Sequence, residues 1–370
     1  MITREVLRDS RLRQVPTPSL VIDLEAVDHN IAAADQLLDG TAVALRPHFK
    51  AHKCLPLLER QLGNGRWTGV TCQTAAEALT LARSGVRDIV VSNQVVDSFA
   101  VEQLVEAASI SELTATIDSP RHIDVLEHAL QRSSATLDVL IEIDVGMGRC
   151  GLTPSDPQLL ALAERIRNAE RLHLAGLQAY EGHAVGVIDR AERACLTAQA
   201  AEIARRERDR LDAAGHRCRL VAGGGTGTLD LAAGNGVLNE VQAGSYVLMD
   251  SSYAQLGLPF RNALFCVATV ISSRDQHDLV VDAGLKQVSP DSGYPTPTDG
   301  NLTVLGMSDE HTRLRASQNH GYEIGDRVAL IPGHVDPTMN LHSAALVLSP
   351  GGVDEWPISR RTPELNPSFG

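Results

Sequence analysis

Short apolar runs alternate with longer stretches of helical period along the first two thirds of the chain. The runs Leu20–Ile22, Thr41–Leu45, Gly69–Cys72, Ile89–Ser92, Leu113–Ile117, Leu137–Val145, Leu172–Ala179, Arg219–Ala222 and Glu240–Gln242 predict strands. Between them, helices are expected over Leu24–Leu38, Cys54–Leu62, Ala75–Ser84, Val101–Ala108, His122–Gln131, Pro157–Asn168 and Asp189–Ala214. Strands buried on both faces read as unbroken apolar runs, and strand–helix alternation at this spacing implies a parallel sheet. Eight or nine such repeats favour closure into a (β/α)8 TIM-like barrel. An open dinucleotide-binding sheet is disfavoured, because no glycine-rich fingerprint follows the first strand.

After Tyr253 the rhythm changes. Ala263–Ser272, Leu279–Asp282, Leu302–Leu305, Arg327–Ile331 and Leu341–Leu348 read as strands without helices between them. The expected organisation is an α/β barrel over 18–255 and an all-β domain over 256–370, with residues 1–17 packing on the latter.

Composition narrows the class. Among 370 residues, 43% are hydrophobic and 21% charged, as in ordinary globular proteins. The formal net charge of −13 disfavours sequence-independent nucleic-acid binding. No apolar run has the length of a membrane span, and Met1–Gln14 is charged rather than signal-like, so a cytoplasmic protein is expected. Six cysteines lie scattered with no C-x-x-C spacing, which fits free thiols in a reducing compartment.

The candidate chemistry collects where predicted barrel strands end, as active sites of this fold do. Thr41–Leu45 runs into Arg46-Pro47-His48-Phe49-Lys50-Ala51-His52-Lys53. Five potentially charged groups there are costly to bury without partners, and an anionic cofactor is the simplest partner. Lys50 is then the candidate amine, since a desolvated lysine among cations can form a Schiff base; a basic surface turn is the other reading. Further clusters at strand ends are Gln73-Thr74, Asn93-Gln94, Asp144–Arg149 and Gln178–His183. Two glycine clusters, Gly223–Thr228 and Ala243–Tyr246, fall late in the barrel, where this fold usually holds a phosphate. Flexible turns would look the same. In the β domain, His334 and Asp336 stand two apart on a segment read as extended, so both can face one cation, although His-x-Asp is often only a turn. Ser308–His311 is a further acidic candidate.

These residues resemble a known family. Arg46–Lys53 is similar to the cofactor-lysine motif of the D-threonine aldolase and eukaryotic-type D-serine dehydratase group, fold-type III pyridoxal-phosphate enzymes that are alanine racemase-like. The resemblance covers nearly the whole chain, through Thr17–Leu20, Glu142–Gly146, Gly223–Thr228, Gln242–Tyr246, Asp282–Lys286, Ser308–His311 and His334–Thr338. It implies Lys50 as the cofactor lysine, Arg149 and Tyr180 beside the cofactor ring, and Gly224, Gly225, Thr226, Gly244, Ser245 and Tyr246 as the phosphate cradle. It also implies His334 and Asp336 as ligands of a divalent metal: Mn²⁺ or Zn²⁺, with Mg²⁺ as a further option.

In this group aldolases tend to carry Asp at the second metal position and dehydratases Cys, so Asp336 implies aldol cleavage of D-β-hydroxy-α-amino acids. One departure stands out. Aldolases of the group often carry His six residues after the tyrosine; here that residue is Gly186, and His183 is the substitute at hand. A D-serine or D-3-hydroxyaspartate dehydratase is the alternative. A racemase, with Tyr294 or Tyr322 as second base, and a non-catalytic cofactor-binding protein are further ones. The resemblance also implies a homodimer.

Overall fold

The computed structural model describes Leu7, residues 10 to 63 and residues 69 to 359. Among these, the chain divides into two compact units. One holds Asp35–Lys50 and Gln61–Gly244; the other holds the described residues up to Ala34, Ala51–Arg60 and those from Ser245 onward.

The strands in chain order are β1 (Ser19–Asp23), β2 (Ala44–Leu45), β3 (Val70–Cys72), β4 (Asp88–Val91), β5 (Glu112–Ile117), β6 (Leu137–Glu142), β7 (Leu172–Ala179), β8 (Leu220–Gly223) and β9 (Glu240–Val241). They continue with β10 (Leu264–Ser273), β11 (Asp278–Val281), β12 (Thr296–Pro297), β13 (Leu302–Met307), β14 (Thr312–Ala316), β15 (Arg327–Ile331), β16 (Ala344–Ser349) and β17 (Gly352–Pro357). Strands β2 to β9 form a parallel sheet in the order β2-β9-β8-β7-β6-β5-β4-β3. A parallel bridge between His48 and Thr71, with the Thr71 amide donating to the Pro47 carbonyl at 2.9 Å, joins its two ends and closes the barrel. Val90, Leu140, Ala175 and Ala222, from β4, β6, β7 and β8, form a buried apolar cluster. Four of the intervening helices start where the sequence supplies a cap: Thr74, Asp97, Ser119 and Asp189 each accept a backbone N–H of the first turn. Each such cap is worth about 1 kcal/mol.

The first strand departs from the expectation. Leu20–Ile22, read as the opening barrel strand, lies in the other sheet, where β1 pairs antiparallel with β10 and parallel with β16. A central strand of a mixed sheet is apolar on both faces, as a barrel strand is, so periodicity could not separate the two. Removing it from the nine predicted repeats leaves the eight that the barrel contains. The second sheet has nine strands, with β13-β14-β11-β10-β1-β16-β17 as its path and β15 joining β10 to β12. Leu7, Leu12 and Val15 pack into its apolar cluster with Val21, Phe265, Val267, Ala329 and Ile331. Residues 1–6, 8 and 9 of that N-terminal segment, and residues 360–370 of the expected β domain, lie outside the described residues. Strands β12, β14 and β17 were not expected: β14, Thr-Arg-Leu-Arg-Ala, alternates buried and exposed, and its two arginines mask the pattern.

Candidate active site

The basic segment after β2 is held by protein groups at every cationic position but one. Arg46 is buried; its Nε lies 2.8 Å from Glu240 Oε1 and its Nη1 2.9 Å from Asp88 Oδ1. Burial disfavours its charge, but Glu240 and Asp88 outweigh that and raise its pKa. His48 Nε2 lies 3.2 Å from Ser92 Oγ, and His52 Nδ1 accepts the Cys54 amide at 3.1 Å. Lys53 Nζ donates to Asn340 Oδ1 at 3.0 Å. An anionic cofactor is therefore not needed as partner for the group as a whole, which corrects the expectation drawn from charge alone. Lys50, half-buried in the short turn Phe49–Ala51, is different. Among the described residues it has no hydrogen-bond or ion-pair partner.

At the end of β6 the chain turns at Asp144, whose Oδ1 accepts the amides of Gly146 and Gly148, each at 3.0 Å. The turn delivers Arg149, whose guanidinium lies 5.5 Å from the centre of the Tyr180 ring and 3.9 Å from Glu142. Burial pushes the Glu142 carboxyl up, while Gln94, donating at 2.5 Å, and Arg149 pull it down. Glu142, Asp118 and Cys150 bring possible metal-ligand atoms within 4.8 Å of one another, a grouping that their spacing in the sequence does not signal. His183 packs its imidazole edge against Gly146: a Cβ there would lie 2.9 Å from His183 Cε1. At Gly186 the space is open.

The loop after β8 is built around the buried carboxylate of Glu181, a member of the Gln178–His183 cluster. Glu181 accepts the Gly224 amide at 3.0 Å and the Thr228 hydroxyl at 2.7 Å; Thr228 Oγ1 accepts the Gly225 amide at 3.1 Å. Burial pushes its carboxyl up, against these hydrogen bonds. Both glycine amides, expected to face a phosphate, are thus taken by protein acceptors. The glycines also set the shape of the loop. Gly224 has φ +71°, and a Cβ there would lie 2.8 Å from Val241 Cγ1. A Cβ at Gly225 would lie 3.0 Å from Val185 and 3.5 Å from the Tyr180 ring. Gly225→Val is expected to weaken cofactor affinity by at least about tenfold, through displacement of Tyr180 and the loop. Titration of cofactor absorbance checks this, and unchanged affinity counts against the assignment.

Gly244 follows β9, one residue after Ala243, whose carbonyl accepts the His48 amide at 3.0 Å. The next turn, Ser245–Val247, belongs to the second unit. Ser245 Oγ donates to Asp336 Oδ2 at 3.3 Å, and the buried Tyr246 ring packs on Phe260 with centroids 5.6 Å apart.

His334 and Asp336 do not share an extended segment. His334 is extended, with φ −147°, but caps a short helix, Val335–Met339, that contains Asp336. Pro337 favours this turn, since its fixed φ suits a first helical turn and its missing N–H is not needed there. The two side chains still converge: His334 Nε2 lies 3.8 Å from Asp336 Oδ2. A cation about 2.1 Å from each would set them roughly 3.0–3.4 Å apart, so the pair fits a divalent ion after a small closure. His334 Nδ1 lies 2.7 Å from Asp291 Oδ2, a partner not foreseen. Asp250 accepts the Val335 amide at 3.1 Å. Glu310, in the other acidic candidate segment, is held by Lys286 and Gln287, each at 2.9 Å.

Among the described residues, no helix is long and apolar enough to cross a membrane. Residues 22–252 match the family model for the alanine racemase N-terminal domain, and residues 263–348 match that of a putative serine dehydratase domain. The chain is similar to the D-threonine aldolase of Arthrobacter sp., 39% identical over 95% of this chain and 94% of the relative. It is similar to the 3-hydroxy-D-aspartate aldolase of Paracoccus denitrificans (strain Pd 1222), 33% identical over 94% of this chain and 92% of the relative. Among solved structures, the D-threonine aldolase of Filomicrobium marinum superposes with a TM-score of 0.90 at 35% identity, covering 94% of this chain and 96% of that one. The chain belongs to the D-threonine aldolase and D-serine dehydratase family of alanine racemase-like, fold-type III pyridoxal-phosphate lyases.

Proposed function

We propose that the protein is a pyridoxal-phosphate- and divalent-metal-dependent aldolase that cleaves D-β-hydroxy-α-amino acids to glycine and an aldehyde. The observation that carries the cofactor half is Lys50: of the cationic groups after β2, it alone has no protein partner among the described residues. Its amine is thus available for covalent attachment of the cofactor. The Arg149–Tyr180 pair and the adjoining loop of Gly224 and Gly225 support a site for a planar anionic ring and its phosphate, with Thr226 and Gly244 assigned to the same cradle. When bound, pyridoxal phosphate supplies a sink for the electron pair released when a bond to Cα breaks.

His334 and Asp336 would hold the metal, a borderline nitrogen and a hard oxygen suited to Mn²⁺ or Zn²⁺, where a divalent ion polarises a substrate oxygen. Arg149, over the Tyr180 ring, would border the cofactor ring together with that tyrosine. We assign the proton of the β-hydroxyl to Tyr180 and His183, the imidazole beside Gly146 standing in for a histidine at position 186. Loss of that proton favours breaking Cα–Cβ.

The match of 263–348 to a putative serine dehydratase domain favours a second reading, in which the β-hydroxyl departs and a keto acid and ammonia form. Asp336, rather than cysteine, supports the aldolase. With Mn²⁺, D-threonine is expected to yield glycine and acetaldehyde; 2-oxobutanoate in their place would establish the dehydratase, and glycine from L-threonine alone would overturn the stereochemistry. D-3-hydroxyaspartate, assayed alongside, distinguishes the two side-chain preferences that the relatives' names carry.

A further inference from the structure

We propose that Asp291 is a positioning residue for the metal pair: its carboxylate holds the Nδ1–H of His334 and thereby commits Nε2 to the cation shared with Asp336. This rests on the metal reading above. The geometry is asymmetric. Nδ1 of His334 lies 2.7 Å from Asp291 Oδ2, whereas Nε2 faces Asp336 Oδ2 at 3.8 Å, too long for a hydrogen bond and open to an ion. A neutral imidazole has one donor and one acceptor nitrogen, so a carboxylate on Nδ1 leaves the Nε2 lone pair for a metal.

Asp291 is itself held. Ser289 Oγ donates to Asp291 Oδ1 at 2.9 Å and Ser292 Oγ to Oδ2 at 3.3 Å. The loop carrying Asp291 docks on the loop carrying His334 by a backbone contact that only glycine permits: a Cβ at Gly333 would lie 2.4 Å from the Gly293 carbonyl oxygen. Ser252 Oγ completes the clamp, donating to the Gly333 carbonyl at 2.7 Å. The Ser289–Gly293 loop therefore sets the rotamer and tautomer of His334 before any ion arrives.

The test measures Mn²⁺ affinity by electron paramagnetic resonance. The sample is full-length protein that retains its cofactor and has been stripped of divalent metal. Asp291→Ala is expected to raise the Mn²⁺ dissociation constant about 10- to 100-fold. Asp291→Asn, which keeps the shape but loses the charge, should show a smaller increase and covers the case in which the alanine variant misfolds. Turnover of either variant should recover towards wild type as Mn²⁺ is raised to saturation, which a purely structural defect would not do. A dissociation constant within about threefold of wild type in Asp291→Ala, with binding lost in His334→Ala, overturns the role of Asp291 and leaves the metal site standing. Equal Mn²⁺ binding by wild type and His334→Ala overturns the metal site itself, and the inference with it.

Discussion

Replacing Lys50 by alanine is expected to lower turnover by at least about 10³-fold and to abolish covalent cofactor attachment, while the fold persists. The first part follows from its isolation. Arg46, His48, His52 and Lys53 are committed to Glu240, Asp88, Ser92, the Cys54 amide and Asn340, so none can leave its partner without exposing a buried polar group. Lys50 loses no such interaction on reacting. The second part follows from the same fact: a half-buried side chain with no partner contributes little, and its removal should change stability by less than about 0.5 kcal/mol. Arg46→Ala would be a poor substitute for this experiment, since it leaves Glu240 buried and uncompensated. The measurement is the visible absorbance of the bound cofactor in wild type and variant, with circular dichroism as the control for folding. Borohydride reduction followed by peptide mapping identifies the modified lysine. Cofactor trapped on Lys53 or Lys286 would refute the assignment.

Chelation of divalent metal is expected to have the second-largest effect, a loss on the order of 10³-fold, with the cofactor's absorbance unchanged. A divalent ion contributes several kcal/mol of charge stabilisation to a reacting oxygen, which is the size of effect anticipated. Asp336→Ala should reproduce the chelated enzyme and resist rescue by added Mn²⁺, because His334 alone is a single ligand. Its cost to folding is expected to be about 1 kcal/mol, since the Ser245 hydroxyl loses an acceptor that water can replace. Full activity after exhaustive chelation would remove the metal from the reaction. Activity retained by Asp336→Ala but lost on chelation would instead move the ion elsewhere. Asp118, Glu142 and Cys150 form the next grouping to test.

The alternation of apolar runs and helical periods was enough to determine a parallel barrel followed by an all-β domain. The same pattern placed Lys50, Arg149, Tyr180, His183 and the Gly223–Thr228 loop at strand ends. These are local properties: a strand buried on both faces must be apolar throughout, and the residues after it leave the core. What only the tertiary structure decided is which partner each group has. Leu20–Ile22 is as apolar as a barrel strand, and only its pairing with β10 and β16 assigns it to the other sheet. The charge of Arg46–Lys53 was visible, but Glu240 and Asn340, which neutralise or bind parts of it, lie far along the chain. Glu181 stood in plain view beside Tyr180, yet its hold on Gly224 and Thr228 depends on β7 and β8 being neighbours. Asp291 lies more than forty residues from His334, and nothing in the spacing brings them together. Apolar periodicity is written within each element, whereas polar satisfaction is a relation between elements, and so it emerges only once the sheets have formed.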